Sequence, residues 1–349
     1  MLRNALKDLV TLNTAPLPWP RGLRFMLAIG LPILIGFVMG AAALGVVASM
    51  CAFLVSQNDL GGSLRSRLNA MAATLLCIVI GGVAGASTDR NYWLPFIAVF
   101  LCGYSVGRLH STSMVMENMA RFFAVALIAA STLHFSQPTL LPLALAGGIG
   151  AIAIVALDYA LRRHSPADLR GNWRAGLARF RAGQAASIRF AICYAATTTV
   201  ALAWAEAYSA ERAGWVAITT ILVMRPDGAE SLQLILQRML GTLLGITIAG
   251  ALFRWLDSSW ALLIGIWSIA FALPLGSARH RWLGIGAATA LVMMLIDLSL
   301  FENGGARELL EVRIIDTAVG GVLALLGTLL ASPRWRTTPV SATDVGNES

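Results

Sequence analysis

The residues of this chain best equipped for chemistry are arginines set at or near the ends of long apolar runs. Arg24, Arg67, Arg189 and Arg238 each stand close to the start of such a run, and Arg313 precedes Asp316 by three residues within another. A guanidinium group is planar, permanently charged and able to hold a carboxylate through two parallel hydrogen bonds, so these arginines are candidates for binding an organic anion. The same side chain can snorkel to lipid headgroups as a simple anchor, and for each arginine taken singly that reading stands beside the first. Arg313 and Asp316 share one helix face, which suits an internal ion pair or, for Asp316, a proton-coupling carboxylate. Trp215 offers an aromatic face to a ring-bearing substrate, or an anchor of the kind tryptophan supplies at span ends.

Other chemistries find no support. There is no His-Glu-x-x-His, no nucleotide-binding Walker motif and no glycine-rich dinucleotide fingerprint, so no enzyme and no cofactor is expected. Cys51, Cys77, Cys102 and Cys193 lie in apolar stretches at unrelated spacings, which fits free buried thiols rather than zinc or redox pairs. Asp158, Glu206, His134 and His280 sit near span ends or loops and need no special role.

The elements that must carry these residues follow from composition. Of 349 residues 57% are hydrophobic and 13% charged, with mean hydropathy +0.73. Soluble domains run near 45–50% apolar and about 25% charged, so a soluble enzyme, a disordered chain and a disulfide scaffold are all excluded. The net charge of +8 is spread between apolar runs rather than gathered into a patch, which argues against nucleic acid. An all-α, polytopic membrane bundle is the expected fold.

A bilayer core of about 30 Å needs roughly 17–25 apolar residues per helix. On that rule spans fall near 23–40, 41–57, 69–87, 93–109, 118–134 and 139–161, then 187–205, 213–224, 236–255, 259–275, 281–300 and 311–331. That is about twelve. Residues 1–22 form an N-terminal segment, 162–186 a basic linker and 332–349 a tail. With alternate segments assigned to opposite sides, 21 of the 26 lysines and arginines fall on the side of both termini, and Arg90, Arg212, Arg254, Arg307 and Arg313 on the other. Positive residues stay inside, so both termini are expected in the cytoplasm. The first apolar run continues too far for a cleaved signal peptide. In the linker, Leu169, Trp173, Leu177 and Phe180 recur at helical spacing opposite Arg170, Arg174 and Arg181, as in a helix lying on an anionic leaflet.

The two six-span halves repeat one another. Arg24-Phe25 returns as Arg189-Phe190, Asp59-Leu-Gly-Gly-Ser as Asp227-Gly-Ala-Glu-Ser, and Arg67 as Arg238. Six spans per half gives two repeats of like orientation, and transporters of that design place the substrate path between them. The repeated arginines would then form a guanidinium ring at the cytoplasmic mouth. Glycines at 36 and 40, 81 and 85, and 241 and 245 fit the small-xxx-small spacing of closely packed helices.

The most specific string is Gln237-Arg238-Met-Leu-Gly241-Thr242-Leu-Leu-Gly245. Gly214-Trp215-Val-Ala and Arg225-Pro226-Asp227-Gly228 precede it, and Arg313-Ile-Ile-Asp316-Thr-Ala-Val-Gly320-Gly321 follows. On these strings the chain resembles the fusaric acid resistance and aromatic acid exporter family over about 185–331. The first half is a weaker match, since Asn69, Ala70 and Thr74 follow Arg67 where the motif has glycines. Many members carry a large cytosolic domain between their halves, where this chain has only its short linker.

The resemblance implies a bacterial inner-membrane transporter that exports small organic anions, most simply aromatic carboxylic acids, on the membrane potential or the proton gradient. It further implies a periplasmic adaptor and a substrate-stacking role for Trp215. A homo-oligomer among membrane lipids is expected, and the candidate transport residues are Arg238, Arg67, Arg189, Arg24, Trp215, Arg313 and Asp316. An organic-anion channel, or a non-transporting scaffold in which every arginine is an anchor, are the alternatives.

Overall fold

The structure, a computed structural model, describes residues 13–132, 137–161, 173–208, 214–255, 258–300 and 306–331. Among them every regular element is helical. The first half contains α1 (Trp19–Val38), α2 (Ala42–Gln57), α3 (Leu64–Ala86), α4 (Leu94–Leu109), α5 (Met114–Thr132) and α6 (Gln137–Ala160). The linker contributes α7 (Trp173–Arg181). The second half contains α8 (Ile188–Tyr208), α9 (Gly214–Val223), α10 (Gly228–Trp255), α11 (Ser259–Arg279), α12 (Arg281–Leu300) and α13 (Ala306–Ala331).

Each expected apolar segment is helical, but they do not all qualify equally as spans. Eight stretches, on α1, α3, α5, α6, α8, α10, α11 and α13, are long and apolar enough to cross a bilayer. Those on α2, α4, α9 and α12 are shorter. The shortest, α9, has ten residues and stops ahead of Arg225-Pro226, because the proline ring disfavours helical geometry in the residue before it. Residues 209–213, just ahead of Gly214, lie outside the described residues, as do the N-terminal segment to residue 12, the linker start and the tail.

Helix starts depart from the hydropathy boundaries for a definite reason. Ser63 accepts a hydrogen bond from the Ser66 amide at 3.3 Å and starts α3 at Leu64, not 69. Asp227 accepts one from the Ala229 amide at 2.8 Å and starts α10 at Gly228, not 236. A cap sets where a helix begins, whereas hydropathy marks only where its apolar stretch begins. Arg67 therefore keeps its place in the first turn of α3, while Arg238 lies ten residues into α10, about 15 Å along its axis.

Helix neighbours repeat between the halves. In the first, α1 packs on α2 and α6, α2 on α3 and α6, α3 on α5 and α6, and α4 on α5. In the second, α8 packs on α9 and α13, α9 on α10 and α13, α10 on α12 and α13, and α11 on α12. These are the same pairs, seven helix numbers later. The contacts between halves also come in matched pairs, α1 with α11 and α4 with α8, then α2 with α12 and α5 with α9.

Glycine permits the closest approaches. A side chain at Gly81 or Gly85 would run into the carbonyls of Phe123 and Leu127 on α5, and one at Gly241 or Gly245 into those of Trp282 and Gly286 on α12. Gly36 meets Gly45 of α2 in the same way. Gly40 is different from its expected role in packing. Its φ is +68° and a side chain placed there would meet nothing within 4 Å, so it turns the chain between α1 and α2 through the left-handed region that other residues avoid. In the linker, Gly176 of α7 sits on Ser113 and Met116, and the Arg179 guanidinium donates to the Thr112 carbonyl at 3.2 Å, tying α7 to the turn between α4 and α5.

Candidate functional site

The four repeated arginines do not form one ring. Arg24 and Arg67 converge on a single carboxylate, Asp59, in the turn after α2. Arg67 donates to it twice, from Nε at 2.6 Å and from Nη2 at 2.9 Å, and Arg24 Nε lies 3.2 Å from its second oxygen. Arg24 Nη1 also donates to Asp158 at the end of α6. Two cations meet two anions, and all four side chains are buried, Arg67 at 1% exposure. The neighbouring Asn58, also buried, donates to Thr74 at 2.7 Å and accepts from Asn118 of α5 at 2.9 Å. This cluster ties together the ends of α1, α2, α3, α5 and α6, and it leaves no guanidinium fork open to a ligand.

The matching residues of the second half have separated. Arg189 is exposed and donates to the Leu330 carbonyl at 2.8 Å, so it links α8 to α13 as Arg24 links α1 to α6. Asp227 caps α10 and is half-exposed, holding no arginine in a bidentate grip. In place of a partner for Arg225 on α13 stands Thr328, whose hydroxyl donates to the Arg225 carbonyl at 3.2 Å. Arg225 itself is buried at 3% exposure and was not singled out from sequence as a site residue.

Arg238, Trp215, Arg313 and Asp316, by contrast, come together. Ile235 of α10 packs on Gly321 of the antiparallel α13, so one turn further Arg238 comes level with Thr317 and Asp316. The Arg313 guanidinium carbon lies 3.4 Å from the centroid of the Trp215 ring. Arg313 feels both the repulsion of Arg238 and the attraction of Asp316. Arg313 is 5% exposed and Asp316 7%. The Nε atoms of Arg238 and Arg313 are buried without hydrogen-bond partners. Among the described residues, two guanidinium groups and one carboxylate give this site one positive charge in excess. The cation–π contact offsets part of the cost of burying it, and it also fixes the guanidinium plane against the ring.

Sequence patterns carried some of this and missed some of it. Asp59 was visible as part of a repeated loop, but its partnership with Arg24 depends on a packing of α1 against the end of α2. Asp158 lies 134 residues from the arginine it meets, and no local spacing reveals that. The string Gly103-Tyr-Ser105-Val-Gly107 has the spacing of a hydrolase nucleophile turn. It lies within α4, however, where Ser105 donates to the Leu101 carbonyl at 2.9 Å, and both glycines press against Ala191 and Ala195 of α8. A nucleophile needs a strained strand-to-helix turn to expose its hydroxyl, and this serine has none. Among the described residues no group of three or more His, Cys, Asp or Glu is placed to hold a metal ion.

Residues 200–327 match the family described as fusaric acid resistance protein-like. A membrane protein of Bacillus subtilis (strain 168), the uncharacterized YvaC, is 27% identical over 135 residues. That stretch is 38% of this chain and 21% of the relative, so the match spans about a fifth of the relative's length. No solved structure matches. The matched region holds Trp215, Arg238, Arg313 and Asp316 together, so residues 200–327 of this helical membrane protein are similar to the fusaric acid resistance protein-like family.

Proposed function

We propose that this protein carries small organic anions, with aromatic carboxylates as the best-fitting class, outward across a bacterial inner membrane. One observation carries the reading: among the described residues, Arg238 and Arg313 bring two positive charges to one carboxylate, Asp316, well along α10 and α13. A charge at such depth is costly by about 2.5–3.5 kcal/mol on insertion scales, and a bound carboxylate would neutralise it. Trp215, already stacked on Arg313, would extend an aromatic surface beside that carboxylate. The family description, which names resistance to an aromatic carboxylic acid, supports the same class.

Energy for export need not come from a nucleotide. One charge moved through 100 mV is worth about 2.3 kcal/mol, enough for an outward gradient on the order of fifty-fold for a monovalent anion when the inside is negative. In this reading both termini are cytoplasmic, twelve helices cross the membrane as two like-oriented repeats, and the protein is not an enzyme. Asp316 is the group through which a proton could be coupled.

Flux of labelled benzoate into proteoliposomes, with voltage and pH gradients imposed independently, tests the reading. Flux should follow the imposed potential and should fall at least tenfold in Arg313→Gln. Flux no faster than in protein-free vesicles would leave a non-transporting scaffold. Flux that rises linearly with benzoate without saturating would indicate a channel, and flux set by the pH gradient an antiporter.

A further inference from the structure

Where the two halves meet, at the arginine-rich end of the bundle, a second charged cluster is built from both. The first half supplies His110, which caps the end of α4, with Glu117 and Arg121 of α5. The second supplies Tyr194 of α8, Arg225 ahead of α10, Glu230 in its first turn and Arg281 at the start of α12. Glu117 takes Arg121 and lies 2.7 Å from His110 Nδ1. The Tyr194 hydroxyl donates to the Ile221 carbonyl at 2.6 Å and stands within hydrogen-bonding reach of Arg121. Arg225 donates to the Met224 carbonyl at 2.8 Å and faces Glu230 at 3.5 Å. Arg121 is close enough to both Arg225 and Arg281 to be repelled by them. Burial, with Arg121 and Arg225 acting in the same direction, pushes the His110 imidazole down to about 3, so His110 is neutral.

Among the described residues, three permanent cations thus share two carboxylates. Arg121 and Arg225 are both more than nine-tenths buried, and Arg121 Nε has no hydrogen-bond partner. One member of the cluster faces outward: the Glu230 side chain is 53% exposed. Its hold on Arg225 is one long contact, whereas the buried Asp59 of the first half is gripped by Arg67 through two short ones.

We infer that this seam is a second anion site, open to the cytosol, in which the Glu230 carboxylate stands where the carboxylate of an incoming organic anion binds against Arg225. The inference rests on the anion-transport reading for its ligand class. An exchange of one carboxylate for another leaves the charge balance of the buried cluster unchanged, so the anion enters without uncovering three like charges. The half-exposed Glu230 can swing into water, where its charge is solvated, while Arg121 and Arg281 keep the field positive.

Equilibrium dialysis of labelled benzoate against the purified full chain in detergent tests this. Arg313→Gln serves as the background, because it disables the site between α10 and α13. In that background benzoate binding should persist. Adding Glu230→Gln should tighten it about tenfold, since the internal competitor is gone, and adding Arg225→Gln should weaken it at least tenfold. Arg225 is buried and its removal can cost folding; Arg225→Lys, which keeps the charge and loses the fork, should still weaken binding severalfold. Glu230→Gln alters a half-exposed side chain and carries the test alone. Benzoate affinity that is unchanged, weaker or absent in that variant overturns the inference. If Glu230→Gln tightens binding while Arg313→Gln leaves both flux and wild-type binding intact, the seam site stands and the site at Arg313 falls.

Discussion

The turn after α2 and the turn after α9 occupy matching places in the two halves, yet they manage charge in opposite ways. After α2, Asp59 collects Arg24 and Arg67, Asp158 takes the remaining bond of Arg24, and the group is buried and electrically neutral. After α9, the matching Asp227 faces water, the arginine nearby is Arg225, and among the described residues its one carboxylate contact is with a half-exposed glutamate. Arg238, the counterpart of Arg67, has moved away from the turn to stand beside Arg313. A shared architecture has thus been used once to fix five helix ends and once to leave positive charge unspent. The difference teaches that the repeat is a repeat of helix packing, and that chemistry belongs to the half where the ion pairs have been undone.

The largest effect that could break this comparison comes from Asp59. Asp59→Ala would leave Arg24 with one partner and Arg67 with none, and breaking a buried pair by removing one member typically costs about 3–5 kcal/mol. Asp227→Ala should cost only a helix cap, about 1 kcal/mol. Thermal unfolding of the two variants in detergent measures both. Equal losses would mean that the halves are not specialised in this way.

Close packing should show the opposite result, because here the halves agree. Gly85 on α3 and Gly245 on α10 each lie against a carbonyl of the matching neighbour, α5 or α12. Forcing extra methylenes into such contacts costs about 1–3 kcal/mol, often more against backbone. Gly85→Leu and Gly245→Leu should therefore lower folded yield and melting temperature to a similar degree. Gly245→Leu that folds normally and loses only flux would make Gly245 part of the anion path instead.

Much of the fold was legible in the sequence, and the reason is physical. Apolar length and the period of the repeat are local properties, so the helices, the matching of Arg24 to Arg189 and of Arg67 to Arg238, and the packing glycines other than Gly40 could be read along the chain. Which carboxylate an arginine meets is a property of distant packing. Asp158 reaches Arg24 only because α6 lies on α1, and Trp215 lies under Arg313 only because α9 lies on α13. The start of α10 was misplaced because Asp227 and Glu230 favour helix while lowering hydropathy. That shift moved Arg238 from the end of a helix to its interior and dissolved the expected ring.

Lysine substitutions sharpen the comparison at smaller scale. Arg67→Lys loses the two-pronged hold on Asp59 and should lower the melting temperature while leaving benzoate affinity unchanged. Arg238→Lys should do the reverse, with expression and melting near wild type and affinity weaker by about tenfold, the 1.4 kcal/mol expected for one charge-assisted hydrogen bond. Wild-type affinity in Arg238→Lys at wild-type expression would remove that arginine from the anion site.

The smallest effect expected is one of pH, and it reads the seam between the halves. His110 is 6% exposed, and burial together with Arg121 and Arg225 holds its imidazole down at about 3, against 6.5 for the free side chain. Below pH 6.5 the unfolded chain therefore takes up a proton at this position that the folded chain refuses. Stability is complete above 6.5 and is lost progressively as pH falls from there towards 3, with a size of about 1 kcal/mol at pH 5.5. His110→Gln removes the titrating group and should flatten this part of the profile. Melting temperatures of wild type and His110→Gln, compared at pH 7.5 and pH 5.5, measure the difference: the wild type should drop further on acidification. An equal drop in both would mean that His110 is charged in the folded seam, held so by Glu117, and that the cluster carries more positive charge at rest than its arginines supply.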